Sequence, residues 1–202
     1  MLVFSCKIFL NSIVLDKISY RINPFLPESF FERSAIVVAQ ELMGCLLCRK
    51  LNEKILAFPI LETEAYLGSE DLASHARFGK TQRNAPMFGP AGRWYIYLCY
   101  GMHTMLNIVT SPKNQPGAVL IRAIEGIQGP GRLTRALSIH REFNHQLCHP
   151  QTDLWIAPAL QTYTIKATPR IGIDYAGPIW REKPYRFVAN LSLKNHQEIE
   201  CL

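Results

Sequence analysis

The segment from Leu61 to Asn107 constrains the fold most, because acidic, basic and tyrosine side chains alternate there with strongly apolar residues. Ionisable groups among apolar neighbours cost folding free energy unless they are paired, so clusters of this kind usually mark a site. The tyrosines matter as much as the acids, since their rings suit a ligand with flat faces, such as a nucleobase. The segment therefore predicts a ligand site.

The chain has 202 residues, a length that suits one domain with one sizeable core. Hydrophobic residues make up 48% of the chain and charged residues 19%, which is typical of a folded soluble domain and excludes a disordered chain. The formal net charge of +6 fits an anionic partner such as nucleic acid, although many soluble proteins share such a charge.

The first residues, MLVFSCKIFLNSIVLDK, carry no charged segment ahead of the apolar part and no small-residue cleavage site, so no signal peptide is predicted. Lys7 and Asp16 interrupt this stretch, so it is not predicted to cross a membrane. We interpret residues 1–22 as a disordered or accessory N-terminal extension and residues 23–202 as the folded domain. Six cysteines lie mostly in apolar runs, which indicates buried free thiols in a reducing compartment.

Hydrophobic periodicity predicts one mixed α/β (α+β) domain with a curved, mainly antiparallel sheet and flanking helices. A helix should begin after Ser34 and end at Gly44, and a second should follow Gly129. Strands are predicted at CLLCRKL, ILAFPILETEAYL, RWYIYLCY, HTMLNIVT and GAVLIRAIE, and in the tail at DLWIA, YTIKA, PRIGI and YRFVANL. Pro59 indicates a bulge or an edge position. Residues 68–92 are predicted to form a long ordered loop, of the kind that usually carries function.

Two strand patterns flank Gly101-Met102 and predict a β-hairpin. Glycine at the first position of a two-residue connection favours a type II′ turn, which puts Tyr100 at the hairpin tip. Most tyrosines on strands are core residues, but an aromatic side chain at a tip has little core to join. Tyr100 therefore suits a wedge that enters a duplex and fills the space of a displaced base.

Glu62 and Glu64 alternate along a predicted strand, so both point to the same face of the sheet. A strand carboxylate is most often solvated or salt-bridged, and catalysis is the rarer interpretation. Arg122 shifts the balance, because it interrupts the apolar run AVLIRAI, where a guanidinium needs an acid or a ligand. Glu64 and Arg122 around one water molecule would form a general-base site.

Basic residues surround the aromatic residues of this region. The basic set is Arg77, Lys80, Arg83 and Arg93, and the aromatic set is Tyr66, His75, Tyr95, Tyr97 and Tyr100. A charge run is usually a solvated face, but this interleaving also matches phosphate contacts beside stacked bases. Residues 129–134 open a helix whose first backbone N–H groups could hold a phosphate.

Two further motifs favour structural roles. The stretch after Gly126 resembles a P-loop, but Arg132 and Leu133 stand where Lys and a magnesium-binding Ser or Thr are needed. Cys45-x-x-Cys48 has a zinc-ligand spacing, with His145, Cys148 and His149 as candidate partners. Its apolar strand and the distance in sequence to those partners favour a core position instead. The sequence predicts no metal and no cofactor.

A series of longer motifs resembles, in order, those of the alkyladenine (3-methyladenine, or N-methylpurine) DNA glycosylase family. The motifs are ETEAYLG, SHARFGKTQRN, MFGPAGRWYIYLCYGM, LNIVT, GAVLIRA, GPGRLTRAL and RIGIDYAG, within a match from about Phe30 to Val188. The resemblance implies a single mixed α/β domain with a protruding β-hairpin that intercalates in the DNA minor groove. It also implies a monofunctional hydrolase of base excision repair. Such an enzyme flips and excises 3-methyladenine, 7-methylguanine, hypoxanthine or ethenoadenine from duplex DNA.

The same resemblance assigns roles to residues of this chain. The catalytic set would be Glu64 as the general base, with Arg122 and the backbone carbonyl of Ile171 holding the water. The base-binding pocket would comprise Tyr66, His75, Tyr97 and Asn107, with the flipped purine between Tyr97 on one face and Tyr66 and His75 on the other. Asn107 would lie where the 2-amino group of guanine must be excluded. Tyr100 would intercalate, and Arg77, Lys80, Arg83 and Arg132 would contact the DNA backbone.

The resemblance further implies a monomer that binds duplex DNA containing damaged purines and no membrane. The protein would be cytoplasmic and nucleoid-associated in a bacterium, or nuclear in a eukaryote. The chain departs from the family pattern in three places: Gln82, His103 and a short segment between Arg122 and Gly129. Two alternatives stay open, a non-catalytic nucleic-acid-binding module of similar fold and a hydrolase of free nucleosides.

Overall fold

A computed structural model of the chain describes residues 25–190, so the predicted N-terminal extension over residues 1–22 lies outside the described residues. The helices are α1 (Glu28–Phe31), α2 (Ala35–Glu41), α3 (Pro130–Ala136) and α4 (Gly177–Arg181). The strands are β1 (Leu46–Leu51), β2 (Lys54–Tyr66), β3 (Trp94–Cys99), β4 (His103–Val109), β5 (Ala118–Ile124), β6 (Ile127–Gln128), β7 (Leu154–Ala157), β8 (Thr164–Thr168) and β9 (Arg186–Asn190). No helix within residues 25–190 is long and apolar enough to cross a membrane.

The nine strands form one open sheet, in which every pairing is antiparallel. The main path runs β3-β4-β5-β2-β1-β7, β6 pairs with β5, and β9 joins β2 to β8. This architecture confirms the predicted α+β class with an antiparallel sheet and flanking helices.

Strand β2 organises the sheet around the site. Its first half pairs with β1, and its second half pairs with both β5 and β9. The register with β5 shifts between Ile60 and Thr63, directly after Pro59, where the sequence indicated a bulge. A bulge bends a strand and re-aims its side chains. The bend precedes Glu64, so it helps to set the direction of that carboxylate.

Helix α2 covers one face of this strand. It begins where predicted, because the side chain of Ser34 accepts a hydrogen bond from the Ile36 N–H and so caps the helix. Its buried face contributes Val38 and Ala39 to the core. The hydroxyl of Thr63 donates to the Ala39 carbonyl at 2.8 Å. The α2 face of β2 is thus anchored, and the opposite face is left for Glu62 and Glu64.

The predicted loop over residues 68–92 contains two short 3-10 helices, His75–Phe78 and Ala85–Phe88. The buried side chain of Asn84 organises it, because its amide donates to the carbonyls of His75 and Gly79 and its oxygen accepts from the Thr81 N–H. The order of this loop comes from these contacts, as expected for a loop without strand partners.

One tail prediction was wrong, and one tail element was not predicted. Residues 169–173 (PRIGI) are not a strand, because Pro169 has no N–H to donate and Gly172 has φ +74°. Helix α4, Gly177–Arg181, was not predicted, since its five residues are too few to show a helical period.

The β3–β4 hairpin forms as predicted, but its turn is of another type. Cys99 pairs with His103, and the Met102 N–H donates to the Cys99 carbonyl at 3.2 Å. The central residues are therefore Tyr100 and Gly101, with φ +50° and +69°, and two positive φ angles are the type I′ pattern and not type II′. Tyr100 stands at the tip and is 89% exposed.

Candidate active site

A cleft of about 500 Å³ opens where the second half of β2 meets β3, β4, β5 and residues 171–175. Its lining includes Tyr66, His75, Tyr97, Asn107, Arg122 and Ile171, and Tyr100 stands at its edge. Residues that are far apart in the sequence are thus brought to one cavity, as the sequence analysis expected. Its size and mixed aromatic and polar lining suit one flat organic group.

Glu64 is fully buried behind this cleft and is not itself part of its surface, but all three of its hydrogen-bond partners line the cleft. Its Oε2 accepts hydrogen bonds from the Tyr66 hydroxyl at 2.8 Å and from Arg122 Nη1 at 3.3 Å. Its Oε1 accepts from the backbone N–H of Ile171 at 2.8 Å. A buried carboxylate with three donors is held in one orientation, which is the geometry that a general base requires.

Two opposing effects act on the pKa of Glu64. Burial raises the pKa of this carboxyl above its ordinary value, because the charged form loses its hydration. Arg122, the Ile171 amide and the Tyr66 hydroxyl oppose that rise, because each stabilises the carboxylate. The result is a carboxyl that gains proton affinity without losing its ionic partners.

Arg122 is shared between two carboxylates. Its Nε donates to Glu62 Oε1 at 3.0 Å, while Nη1 reaches Glu64. The same Glu62 oxygen accepts from Arg186 Nη1 at 2.9 Å. Glu62 therefore orients Arg122 from the side, and Arg186, which lies opposite Glu64 in the β2–β9 register, completes the network. Arg186 could not be recognised from the sequence, because nothing in YRFVANL shows which strand lies beside it.

Ile171 contacts Glu64 through its backbone N–H, a contact that the sequence did not reveal. The role that the resemblance assigns to its carbonyl, holding the water, stays a prediction. Its side chain is 49% exposed and lines the cleft mouth. The residue thus acts on the carboxylate through the main chain.

The aromatic side chains do not divide as the sequence analysis expected. His75 was grouped with Tyr66, but its ring packs against Tyr97 with centroids 4.6 Å apart and an interplanar angle of 68°. His75 Nδ1 also lies 2.8 Å from the Tyr95 hydroxyl. No base fits between two rings already in contact, so His75 and Tyr97 form one surface, which we call the His75–Tyr97 wall.

Tyr66 presents the other flat surface of the cleft. The guanidinium of Arg170 covers one face of its ring, 4.8 Å from the centroid. Because Tyr66 also lines the cleft, its opposite face is the one available to a ligand. Its hydroxyl bond to Glu64 fixes the ring close to the carboxylate.

The pKa of His75 falls to about 4, because burial disfavours the charged imidazolium and because Arg83 and Arg77 lie nearby. His75 is therefore neutral at neutral pH. A neutral ring adds a flat face to the wall without repelling a cationic ligand.

Asn107 is buried at the cleft wall, where its amide donates to the Tyr95 carbonyl at 3.0 Å. Tyr95 and Asn107 are also register partners of β3 and β4. The side chain is thus tied to the neighbouring strand and cannot swing away from the cleft.

The predicted DNA-contacting residues lie in three places. Arg83 lines the cleft and donates to the Leu98 carbonyl at 3.1 Å. Arg77 lies beside the mouth, with its guanidinium 4.7 Å from the ring centroid of Tyr175, and Lys80 is exposed on the same loop. Arg132 lies in a separate cavity of about 590 Å³ at the start of α3. Pro130 and Met105 line both cavities, so the cavity that contains Arg132 adjoins the cleft.

The cysteines of the CxxC motif occupy core positions. Cys45 and Cys48 are buried, and burial raises their pKa values to about 11 and about 12. A thiol that resists ionisation is a poor metal ligand. Among residues 25–190 no group of three or more His, Cys, Asp or Glu side chains could hold a metal ion.

Residues 29–192 match the family model described as methylpurine-DNA glycosylase. Three similar proteins carry the name "Putative 3-methyladenine DNA glycosylase". The one from Myxococcus xanthus is 44% identical over 172 residues, which cover 80% of this chain and 88% of the relative. The one from Nitrosococcus oceani is 36% identical over 87% of this chain and 93% of the relative. The one from Chlamydia felis is 43% identical over 82% and 96%.

Proposed function

The chain belongs to the methylpurine-DNA glycosylase family, and from that premise we propose that it excises alkylated or deaminated purines with Glu64 as the base that activates water. Family membership makes it a DNA glycosylase of DNA repair, a hydrolase of N-glycosidic bonds with DNA as its substrate. The single observation that carries the proposal is the buried Glu64 carboxylate, which is hydrogen-bonded to three residues that line an aromatic cleft.

The cleft dimensions support base flipping. A base inside a duplex is out of reach, so the target nucleotide must rotate out of the stack, which costs a few kcal/mol and less for a damaged pair. The cleft of about 500 Å³ accepts one base and no duplex. The flipped purine would stack between Tyr66 and the His75–Tyr97 wall. Tyr100, 89% exposed at the hairpin tip, would fill the vacated space.

The hydrogen bonds of Glu64 support its role as the base. A carboxylate offers about four lone-pair positions, and Oε2 accepts two donors whereas Oε1 accepts only the Ile171 amide. Oε1 therefore keeps an unused lone pair that would accept the water. Because the carboxylate is fully buried, that water would have to enter from the cleft, past the residues that cover Glu64. The purine would leave with the electron pair of its N-glycosidic bond, water would add its oxygen to C1′, and Glu64 would accept the proton. A carboxylate also stabilises the positive charge that develops on the sugar.

The cleft chemistry supports damaged purines as the substrate class. A purine methylated on the ring can carry positive charge, and aromatic faces attract cations by about 0.5–2 kcal/mol. The cleft supplies such faces, and His75 adds no opposing charge because its pKa lies at about 4. The proposed substrates are 3-methyladenine, 7-methylguanine, hypoxanthine and ethenoadenine, excised from duplex DNA by a monomer.

The cleft also supports monofunctional chemistry. A glycosylase that cleaves the strand needs an amine for a Schiff base. Lysine is absent from the described cleft lining. Borohydride should therefore trap no covalent adduct between enzyme and DNA, and a trapped adduct would contradict this part of the proposal.

The test compares wild type with Glu64→Gln on a labelled duplex that carries one hypoxanthine or one 3-methyladenine. Wild type should excise the damaged base. Glu64→Gln should still bind the duplex but excise the damaged base at least about 10²-fold more slowly. Equal excision rates would mean that Glu64 is not the general base, and Glu62 would be the next candidate for that role. Binding without release by the folded wild type would favour the non-catalytic module, which needs neither Glu64 nor Arg122.

A further inference from the structure

Asp71 and Arg170 form an ion pair whose two side chains are fully buried. Asp71 Oδ2 lies 2.6 Å from Nη1 and Oδ1 lies 2.9 Å from Nη2, a bidentate contact. Burying two charges costs hydration, and such pairs often add little net stability compared with apolar residues of similar size. Stability alone therefore does not account for this buried pair, and a further role has to be considered.

Asp71 fastens the pair to the loop that follows β2. Its carboxylate accepts hydrogen bonds from the N–H groups of Leu67 at 3.1 Å and Ala73 at 3.0 Å. Arg170 Nη1 in turn donates to the Ala65 carbonyl at 2.9 Å, next to Glu64 in the chain. The position of Arg170 is thus fixed relative to the end of β2.

The residue after Arg170 is Ile171, whose N–H donates to Glu64. Residues 169–173 form no strand, so no ladder of hydrogen bonds holds this amide in place. The segment is held instead by the Asp71–Arg170 pair and by Arg186, whose Nε donates to the Pro169 carbonyl at 3.0 Å. Three consecutive residues are each tied to a different part of the site.

Resting on the proposed role of Glu64, we propose that the Asp71–Arg170 pair positions the Ile171 amide on Glu64 Oε1 for hydrolysis. Asp71 and Arg170 are positioning residues, since they reach the reaction through Ile171 and Tyr66. The amide determines which lone pair of Oε1 remains for water. A displacement of about 1 Å can cost about 10²-fold in rate, so a buried ion pair is a reasonable means of holding a loop amide.

The pH dependence should report this positioning. The titratable and charged groups around Glu64 are Glu62 and Tyr66 on its own strand, Arg122 on β5, Arg186 on β9, Tyr97 on β3 and Arg170 beside Ile171. Losing the amide removes one donor that favours the carboxylate, so the pKa of Glu64 should rise further. The acid limb of the excision rate would then move to higher pH.

The experiment uses the full chain under single-turnover conditions with a duplex that carries one hypoxanthine. The variants are Asp71→Asn and the double variant Asp71→Asn/Arg170→Gln, which leaves no unpaired buried charge and so guards against loss of folding. The control is Arg49→Lys. Arg49 is another buried arginine, which lies on β1 and donates hydrogen bonds to the Leu137 and Asp153 carbonyls. Hydrogen exchange of the Ile171 amide is measured in parallel.

The double variant should fold, lose about 10²-fold in excision rate, and shift its acid limb to higher pH. Its Ile171 amide should exchange faster, while Arg49→Lys changes neither the pH profile nor that amide. An unchanged Ile171 amide and pH profile in the double variant would overturn the positioning role. If wild type released no base, the proposed function would be wrong. The positioning role would still be tested, because faster exchange of the Ile171 amide in the double variant would support it and unchanged exchange would overturn it.

Discussion

The hydroxyl of Tyr66 donates a 2.8 Å hydrogen bond to Oε2 of Glu64, two residues earlier on the same strand. One side chain therefore offers both a flat face to the cleft and a donor to the carboxylate. The two tasks can be separated, because phenylalanine keeps the ring and loses only the hydroxyl.

Tyr66→Phe should leave lesion binding nearly unchanged and slow excision at neutral pH by about tenfold, since a hydrogen bond to a charged group contributes about 1.5–3 kcal/mol. The missing donor raises the pKa of Glu64 further, so the acid limb moves to higher pH. Single-turnover rates from pH 5 to 9 provide the measurement. Tyr163→Phe is the control, because Tyr163 does not line the cleft and its hydroxyl contacts Gln161. A uniform loss at all pH values would disprove the effect on protonation.

Glu62→Gln tests whether the second carboxylate orients Arg122. The change weakens the contacts of one oxygen with Arg122 and Arg186 but leaves Glu64 in place. We expect a loss of about tenfold in excision rate, well below the loss in Glu64→Gln. The measurement compares the single-turnover excision rates of Glu62→Gln and Glu64→Gln on the same duplex. If the Glu62 variant lost as much as the Glu64 variant, the assignment of the base would have to be reconsidered.

The sequence revealed the pieces of this site better than their arrangement. Strand alternation and the interrupted run AVLIRAI pointed to Glu64 and Arg122, which the structure joins at 3.3 Å. Asp71 and Arg170 escaped notice, because their contact spans 99 positions and neither residue interrupts an apolar run. The hairpin was predicted, but its turn type was not, because the backbone of Tyr100 adopts a positive φ that residues other than glycine rarely adopt.

The grouping of aromatic residues failed for a similar reason. His75 lies on a loop, and its side-chain direction depends on the 3-10 helix that begins there and on the contacts of Asn84. Neither has a periodic signature in the sequence. Pairing with Tyr97 and Tyr95 could therefore be found only in three dimensions.

Tyr100→Ala tests the hairpin tip. The variant should weaken binding to a lesion-containing duplex more than to an undamaged one, because only the flipped state leaves a gap for the ring to fill. Met102→Ala is the matched control, since Met102 is 70% exposed on the same tip. Binding to both duplexes is measured by titration at one salt concentration, because phosphate contacts are salt-dependent. Equal losses on the two duplexes would argue against a wedge.

His75 predicts a pH dependence of stability. Its pKa in the folded protein, about 4, lies below the ordinary value of 6.5, so between these values the unfolded chain binds more protons at this position. The contribution of His75 to the free energy of unfolding is therefore complete above about pH 6.5 and is lost as pH falls towards 4. Denaturant unfolding of wild type and His75→Gln at pH 7.5 and 4.5 measures how much the free energy of unfolding of each protein changes between the two pH values. The wild type should lose more stability than the variant over this interval, and an equal loss would mean that His75 titrates normally in the folded protein.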